Sequence, residues 1–242
     1  MRQLLSSKVY NVKNIFFATA FISNWFIVDT AYARKSFSNR SNAAFSITTG
    51  YGLSTHKSEN VSSNDTTTSL MYGIKFRAGR NGDIGIEYSH FSIPTAFELN
   101  SSEITTSFSD TTFTYNFWNL YLGAIIANTD IKVNSAGTDI FDGLGSGTGG
   151  AFGIDIPLGK TNKFVMDFRS ISTTTLKHDS SSEISLGART DANIMGKIAL
   201  TKSLIALDVG IKYTSFAVTV NSETSTDKVY TTWLGISFNL NP

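Results

Sequence analysis

Residues 205–213 read Ile205-Ala206-Leu207-Asp208-Val209-Gly210-Ile211-Lys212-Tyr213. The odd positions carry Ile205, Leu207, Val209, Ile211 and Tyr213, and the even positions include Asp208, Gly210 and Lys212. Successive side chains of a strand point to opposite faces. This alternation therefore builds one bulky apolar face and one small or charged face. The same period returns along the chain. Phe45, Ile47, Thr49, Tyr51 and Leu53 oppose Ala44, Ser46, Thr48, Gly50 and Gly52. Leu70, Tyr72, Ile74 and Phe76 oppose Gly73, Lys75 and Arg77, while Ile84, Ile86 and Tyr88 oppose Gly85, Glu87 and Ser89. Further segments run through Phe113-Phe117, Leu120-Ile126, Phe152-Ile156, Phe164-Arg169, Ile194-Leu200 and Tyr230-Phe238, ten in all.

Alternation alone also suits a soluble sandwich, so the chemistry of the faces decides. A sandwich buries its apolar faces, and one exposing this much Phe, Tyr and Ile would aggregate. In a membrane barrel the faces invert, with apolar side chains meeting lipid and polar ones lining the lumen. The expected fold is all-β, an antiparallel transmembrane up-and-down β-barrel of ten strands, with eight as the alternative. Short connections at Asn81-Gly82-Asp83, Asn116–Asn119, Gly159–Asn162 and Thr201-Lys202-Ser203 alternate with polar stretches at His56–Thr68, Pro94–Glu103, Asn134–Gly147, Lys177–Glu183 and Asn221–Asp227. Short periplasmic turns against long extracellular loops is the outer-membrane arrangement, with both termini periplasmic.

Composition agrees. Of 242 residues, only 16 % are charged, below the roughly 25 % of soluble proteins. The formal net charge of +1 points to no nucleic-acid partner, and the absence of Cys excludes disulfides and thiolate metal sites. Residues 1–33 have the pattern of a signal peptide, leaving 34–242 as the barrel domain. Arg2, Lys8 and Lys13 precede an apolar run from Ile15 to Val28, and Ala31-Tyr32-Ala33 is an A-x-A cleavage site. Loss of Arg2, Lys8, Lys13 and Asp29 turns the formal charge from +1 to −1. The alternative for this stretch is an uncleaved anchor or a buried helix. No later segment has the roughly 18 consecutive apolar residues of a membrane helix.

The chain end reads Trp233-Leu234-Gly235-Ile236-Ser237-Phe238-Asn239-Leu240. It resembles the C-terminal assembly signal of outer-membrane proteins, with Gly235, Phe238 and Leu240 in the signal positions. Trp233 stands where that signal has a polar residue, and Asn241-Pro242 extends past the usual end. Gly149-Gly150-Ala151-Phe152-Gly153-Ile154-Asp155 and Tyr121-Leu122-Gly123-Ala124 are similar to stretches of small barrels of the OmpA, OmpW and opacity-protein kind. The resemblance implies localisation in the cell outer membrane and, as partners, outer-membrane lipid, lipopolysaccharide and the barrel-assembly machinery. It implies no cofactor. Members of such families serve as adhesins, resistance factors, small pores or anchors, and fold does not choose among these.

The alternation assigns a set of charges to the lumen: Lys75, Arg77, Glu87, Asp155, Asp167, Arg169, Lys197, Asp208 and Lys212. Most lie four to six residues from a short turn. With a rise of about 3.3 Å and a tilt of about 35–45°, five residues climb about 12–14 Å, near the bilayer midplane. Near-balance of sign is what a closed interior demands, because unpaired buried charge is costly. The expectation is an ion-pair layer plugging the lumen; a narrow pore for ions or small solutes is the alternative.

No catalysis is expected. His90-Phe91-Ser92 is similar to the His-x-Ser pair of lipid A deacylases, and Glu103 would complete a Ser-His-Glu set. That family carries the pair late in the chain and follows it with Asn-Ala-Gly, whereas Ile93-Pro94-Thr95 follows here. His178-Asp179 does not match the order or spacing of an omptin Asp–His pair. His56 falls in a loop, and three scattered histidines support no metal site. Gly143–Gly150 falls in a predicted external loop with no helix after it, which does not suit a phosphate cradle. The Ser- and Thr-rich loops are the expected contact surface for host or environmental ligands. Ile140-Phe141-Asp142 is the one place where a loop carries apolar side chains.

Overall fold

The computed structural model describes residues 44–58, 61–78, 83–95, 102–135, 138–172, 174–177, 184–201, 204–220 and 223–240. The signal-peptide expectation for 1–33 lies outside them. The strands are β1 (Ala44–Ser58), β2 (Val61–Ala78), β3 (Ile84–Thr95), β4 (Ser102–Phe117), β5 (Leu120–Ser135), β6 (Thr138–Leu158), β7 (Asn162–Ile171), β8 (Thr174–Lys177), β9 (Ile184–Thr201), β10 (Ile205–Val220) and β11 (Glu223–Leu240).

Sequence neighbours pair antiparallel around the wall, and β11 returns to β1 to close it. Both β7 and β8 sit between β6 and β9. They are two lengths of one wall position, interrupted near Ser172, whose N–H donates to the Thr148 carbonyl at 2.8 Å. The wall therefore has ten positions, as the ten alternating segments imply. Closure pairs backbone groups that lipid cannot satisfy.

The outer face is apolar. On β11, Tyr230, Leu234, Ile236, Phe238 and Leu240 are 42–56 % exposed. From Tyr230 to Leu240 a tilted strand climbs roughly 25 Å, the height of a lipid-facing band. Ile47, Tyr51 and Leu53 continue this band on β1, Tyr72, Ile74 and Phe76 on β2, and Val209 and Ile211 on β10. In water such a surface would drive association; in a bilayer it is matched. The barrel is transmembrane.

One end carries tight connections and both described chain ends, Ala44 and Leu240. Trp118, with φ 57°, occupies the two-residue link between β4 and β5 and is 90 % exposed. Gly159, with φ 73°, turns β6 into β7, a conformation that costs glycine little. Between β9 and β10 the Leu204 N–H donates to the Thr201 carbonyl at 2.6 Å.

The opposite end corrects the loop expectations. Most of His56–Thr68 is strand, since β1 runs to Ser58 and β2 begins at Val61. Asn134–Gly147 is likewise strand but for 136–137, and Asn221–Asp227 becomes strand from Glu223. Gly143–Gly150 and Ile140-Phe141-Asp142 lie within β6 rather than in a loop. Residues 96–101 and 178–183, with His178-Asp179, lie outside the described residues. The reason is physical: a ladder needs only backbone groups. Beyond the lipid band the two faces no longer differ in chemistry, so alternation disappears while the strands continue.

Candidate functional site: the lumen

The inward face is built by the phase of each strand. On β3 it carries Gly85, Glu87, Ser89, Phe91 and Ile93; on β10 it carries Ala206, Asp208, Gly210, Lys212, Thr214 and Phe216. Going from the tight-turn end upward, charge gives way to apolar side chains.

Arg169 of β7 is the hub of the charged part. Its Nη2 donates to Glu87 Oε1 at 2.7 Å, its Nε to Asp167 Oδ2 at 2.7 Å and its Nη1 to Ser89 Oγ at 2.9 Å. Lys75 Nζ reaches the other oxygen of Glu87 at 2.8 Å. One side chain thus ties β7 to β3, across the barrel rather than along the wall. Nearer the tight turns, Asp155 lies 3.5 Å from Arg77 and 3.6 Å from Lys163. Asp208, 0 % exposed, accepts from Lys197 Nζ at 3.0 Å and from Ser237 Oγ at 3.1 Å. Lys212 reaches no carboxylate within ion-pair distance among the described residues; its Nζ lies 4.2 Å from the Phe91 ring centroid.

The nine predicted lumen residues thus fall into several contacts rather than one layer. Sequence reading missed Asp110, Lys163, Arg189 and Asp191. Arg189 pairs with Asp110, and its Nε lies 3.2 Å from Asp191 Oδ2. Arg169 Nη1 approaches the same Asp110 at 3.6 Å, joining the two groups. Asp110 is in phase with Thr112 and Thr114, inward-facing and buried.

Tyr121 explains part of the glycine content. Its hydroxyl donates to Asp167 Oδ1, and its ring covers Gly153, where an added Cβ would lie 2.2 Å from the ring. The small residue on β6 makes the space that the tyrosine fills.

Above the charges lies an apolar layer absent from the sequence-based expectation. Phe91, Ile93, Phe108, Ile131, Leu186, Phe216 and Val229 are buried together, with Met71 and Val133 packed against them. Phe108 and Phe216 meet edge to face, with centroids 5.3 Å apart. The layer draws on six strands spaced around the wall, so it crosses the lumen. Its members were legible by phase: Phe91 and Ile93 share the odd positions of Glu87, and Phe216 the even positions of Asp208 and Lys212. A cavity of about 310 Å³ runs from Ser46, Thr161 and Asn239 at the tight-turn end up to Phe91 and Phe108.

The predicted His90–Ser92 pairing does not form, and the Glu103 side chain lies outside the described ones. His90 faces outward and its Nδ1 lies 2.8 Å from the hydroxyl of Ser109, its register partner, while Ser92 accepts from Ser107 Oγ at 3.1 Å. Residues two apart on a strand share a face but stand farther apart than cross-strand partners. His56 sits inside the barrel wall, with Nε2 3.5 Å from Asp227 Oδ2. No group of three metal-ligating side chains occurs among the described residues. Gly235 of the assembly-signal residues is register partner to Gly50 and Asp208, while Phe238 and Leu240 face outward on the last strand.

No family model and no curated protein sequence matches the chain. Among solved structures it is similar to Ail, the attachment invasion locus protein of Yersinia pestis, at 15 % identity and TM-score 0.38, covering 82 % of this chain and 99 % of that one. It is similar to Neisserial surface protein A at 12 % identity and TM-score 0.42, covering 81 % and 97 %. It is similar to the outer membrane protease OmpT from Escherichia coli at 7 % identity and TM-score 0.44, covering 85 % and 98 %. At these scores the likeness says nothing of what this chain does. Its own geometry gives the architecture: a closed, antiparallel, ten-position transmembrane β-barrel whose lumen is ion-paired below, crossed by an apolar layer above, and polar again at His56 and Asp227 beyond it.

Proposed function

We propose that this protein is a non-conducting outer-membrane barrel whose role is structural or adhesive and is carried by its hairpin end. The observation that carries the reading is the apolar layer that crosses the lumen above the cavity. An ion pair network lies against an apolar layer, and together they oppose passage of water and ions. A narrow apolar constriction dewets, and side chains nearly fill the interior of a barrel this small. Function then belongs outside the wall. The tight-turn end offers little surface, whereas β1–β2, β5–β6 and β10–β11 extend as polar hairpins past the lipid band. Backbone pairing holds these extensions in place, which lowers the ordering cost of binding relative to a loose loop.

Outer-membrane placement is supported by the closed barrel, the apolar band and the signal-peptide pattern in the sequence of the first 33 residues. The test is conductance of the purified protein in planar bilayers. The expected result is silence over a wide voltage range. Steady single-channel steps would favour the pore reading and sink this one.

A further inference from the structure

We propose that the exterior of β1 and β11, just past the apolar band, binds the phosphate of a lipid headgroup through Lys57 and Lys228. The two lysines are direct register partners. Both point outward, because the neighbouring His56 and Asp227 point inward and meet each other at 3.5 Å. Like charges directly opposite on adjacent strands repel. Asp227, the nearest acid on β11, is turned to His56, and no carboxylate among the described residues pairs with either ammonium. Among the described residues the pair has no anion to offset its charge.

The surroundings choose the kind of anion. Directly below lie Tyr230 and Tyr213, with ring centroids 5.1 Å apart, and Lys57 Nζ sits 6.0 Å from the Tyr230 centroid. Below the tyrosines the exterior is apolar, with Leu53, Val209, Ile211 and Leu234 exposed. Lys228 is two residues past Tyr230, roughly 5 Å above the top of the band. That is headgroup depth. A phosphate there accepts charge-assisted hydrogen bonds from both ammonium groups while its acyl chains follow the apolar wall. Ser215, the register partner of Lys228 on β10, adds a hydroxyl at the same depth. A soluble phosphate would use the lysines but not the wall, so the lipid is the fitting occupant.

This inference rests on the membrane reading, and the experiment separates the two. The protein is folded into phosphatidylcholine vesicles with and without phosphatidic acid, and lipid retention is read by native mass spectrometry. The shift in the temperature of heat-modifiable migration is read alongside. Phosphatidic acid is expected to be retained and to raise that temperature. Lys57→Gln and Lys228→Gln each lower retention about fivefold, while Lys132→Gln, elsewhere on the exterior, leaves it unchanged. All variants fold alike in phosphatidylcholine alone. Equal retention by the Lys57→Gln/Lys228→Gln double variant overturns the proposal. So does an equal upward shift with inorganic phosphate, which would mark a soluble-anion site. Failure of the wild type to fold into either vesicle strikes the membrane reading instead.

Discussion

On β3, Glu87 and Ser89 face the same interior as Phe91 and Ile93 a few ångströms farther along, yet the two pairs meet different company. The first pair meets Arg169, and the second meets Phe108 and its apolar neighbours. In the lower lumen each charge is costly alone and tolerable only with its partner. In the upper lumen each side chain contributes on its own by removing area from water. The lower half therefore specifies which strands face each other across the barrel. The upper half fills volume and needs no particular partner. A cooperative network fails when one member goes, whereas a packed layer loses in proportion to the volume removed.

Arg169→Met tests this difference most severely. It leaves Glu87 to Lys75 alone and Asp167 to the Tyr121 hydroxyl alone, weakens the hold on Asp110, and should cost about 3–5 kcal/mol. Urea unfolding in detergent, followed by heat-modifiable migration, measures it. A loss below about 1 kcal/mol would mean that the lower lumen is solvated enough for the pairs to contribute little. Phe216→Ala should cost about 3 kcal/mol through the cavity it leaves, and it also removes the edge contact with Phe108. Its sharper readout is electrical. If the apolar layer is the seal, this variant is the one in which conductance steps first appear, and silence there would place the seal in the charges. Gly153→Ala should cost about 1–3 kcal/mol, because the added methyl displaces the Tyr121 ring and its bond to Asp167. The tyrosine's near-ultraviolet signal should change with it. Ser109→Ala, on the lipid-facing exterior, should change stability by less than about 1 kcal/mol. It should also leave the lipid A profile of the cells unaltered; an altered profile would revive the hydrolase reading around His90.

Much of this barrel is written locally. Ile205–Tyr213 and its counterparts alternate because lipid and lumen impose opposite chemistry on the two faces, so strand phase and wall count follow from the sequence. Inward charges such as Glu87, Asp167 and Arg169 were legible for the same reason. The hairpin extensions were not. Past the lipid band Ser62–Thr68 has no apolar residue and Gly143–Gly147 only Leu144, so neither shows alternation, and only backbone pairing, which leaves no side-chain trace, makes them strands. Nor does β4 announce that Asp110 serves Arg189 and lies near Arg169, which come from β9 and β7. Closing the wall decides those encounters. Alternation fixes which way a side chain points, but the shear and curvature of the closed sheet fix what it meets across the lumen. The sequence alone thus determined a barrel with a charged interior. The tertiary structure decided that the charges gather around Arg169, that an apolar layer lies above them, and that Lys57 and Lys228 stand face to face on the outside.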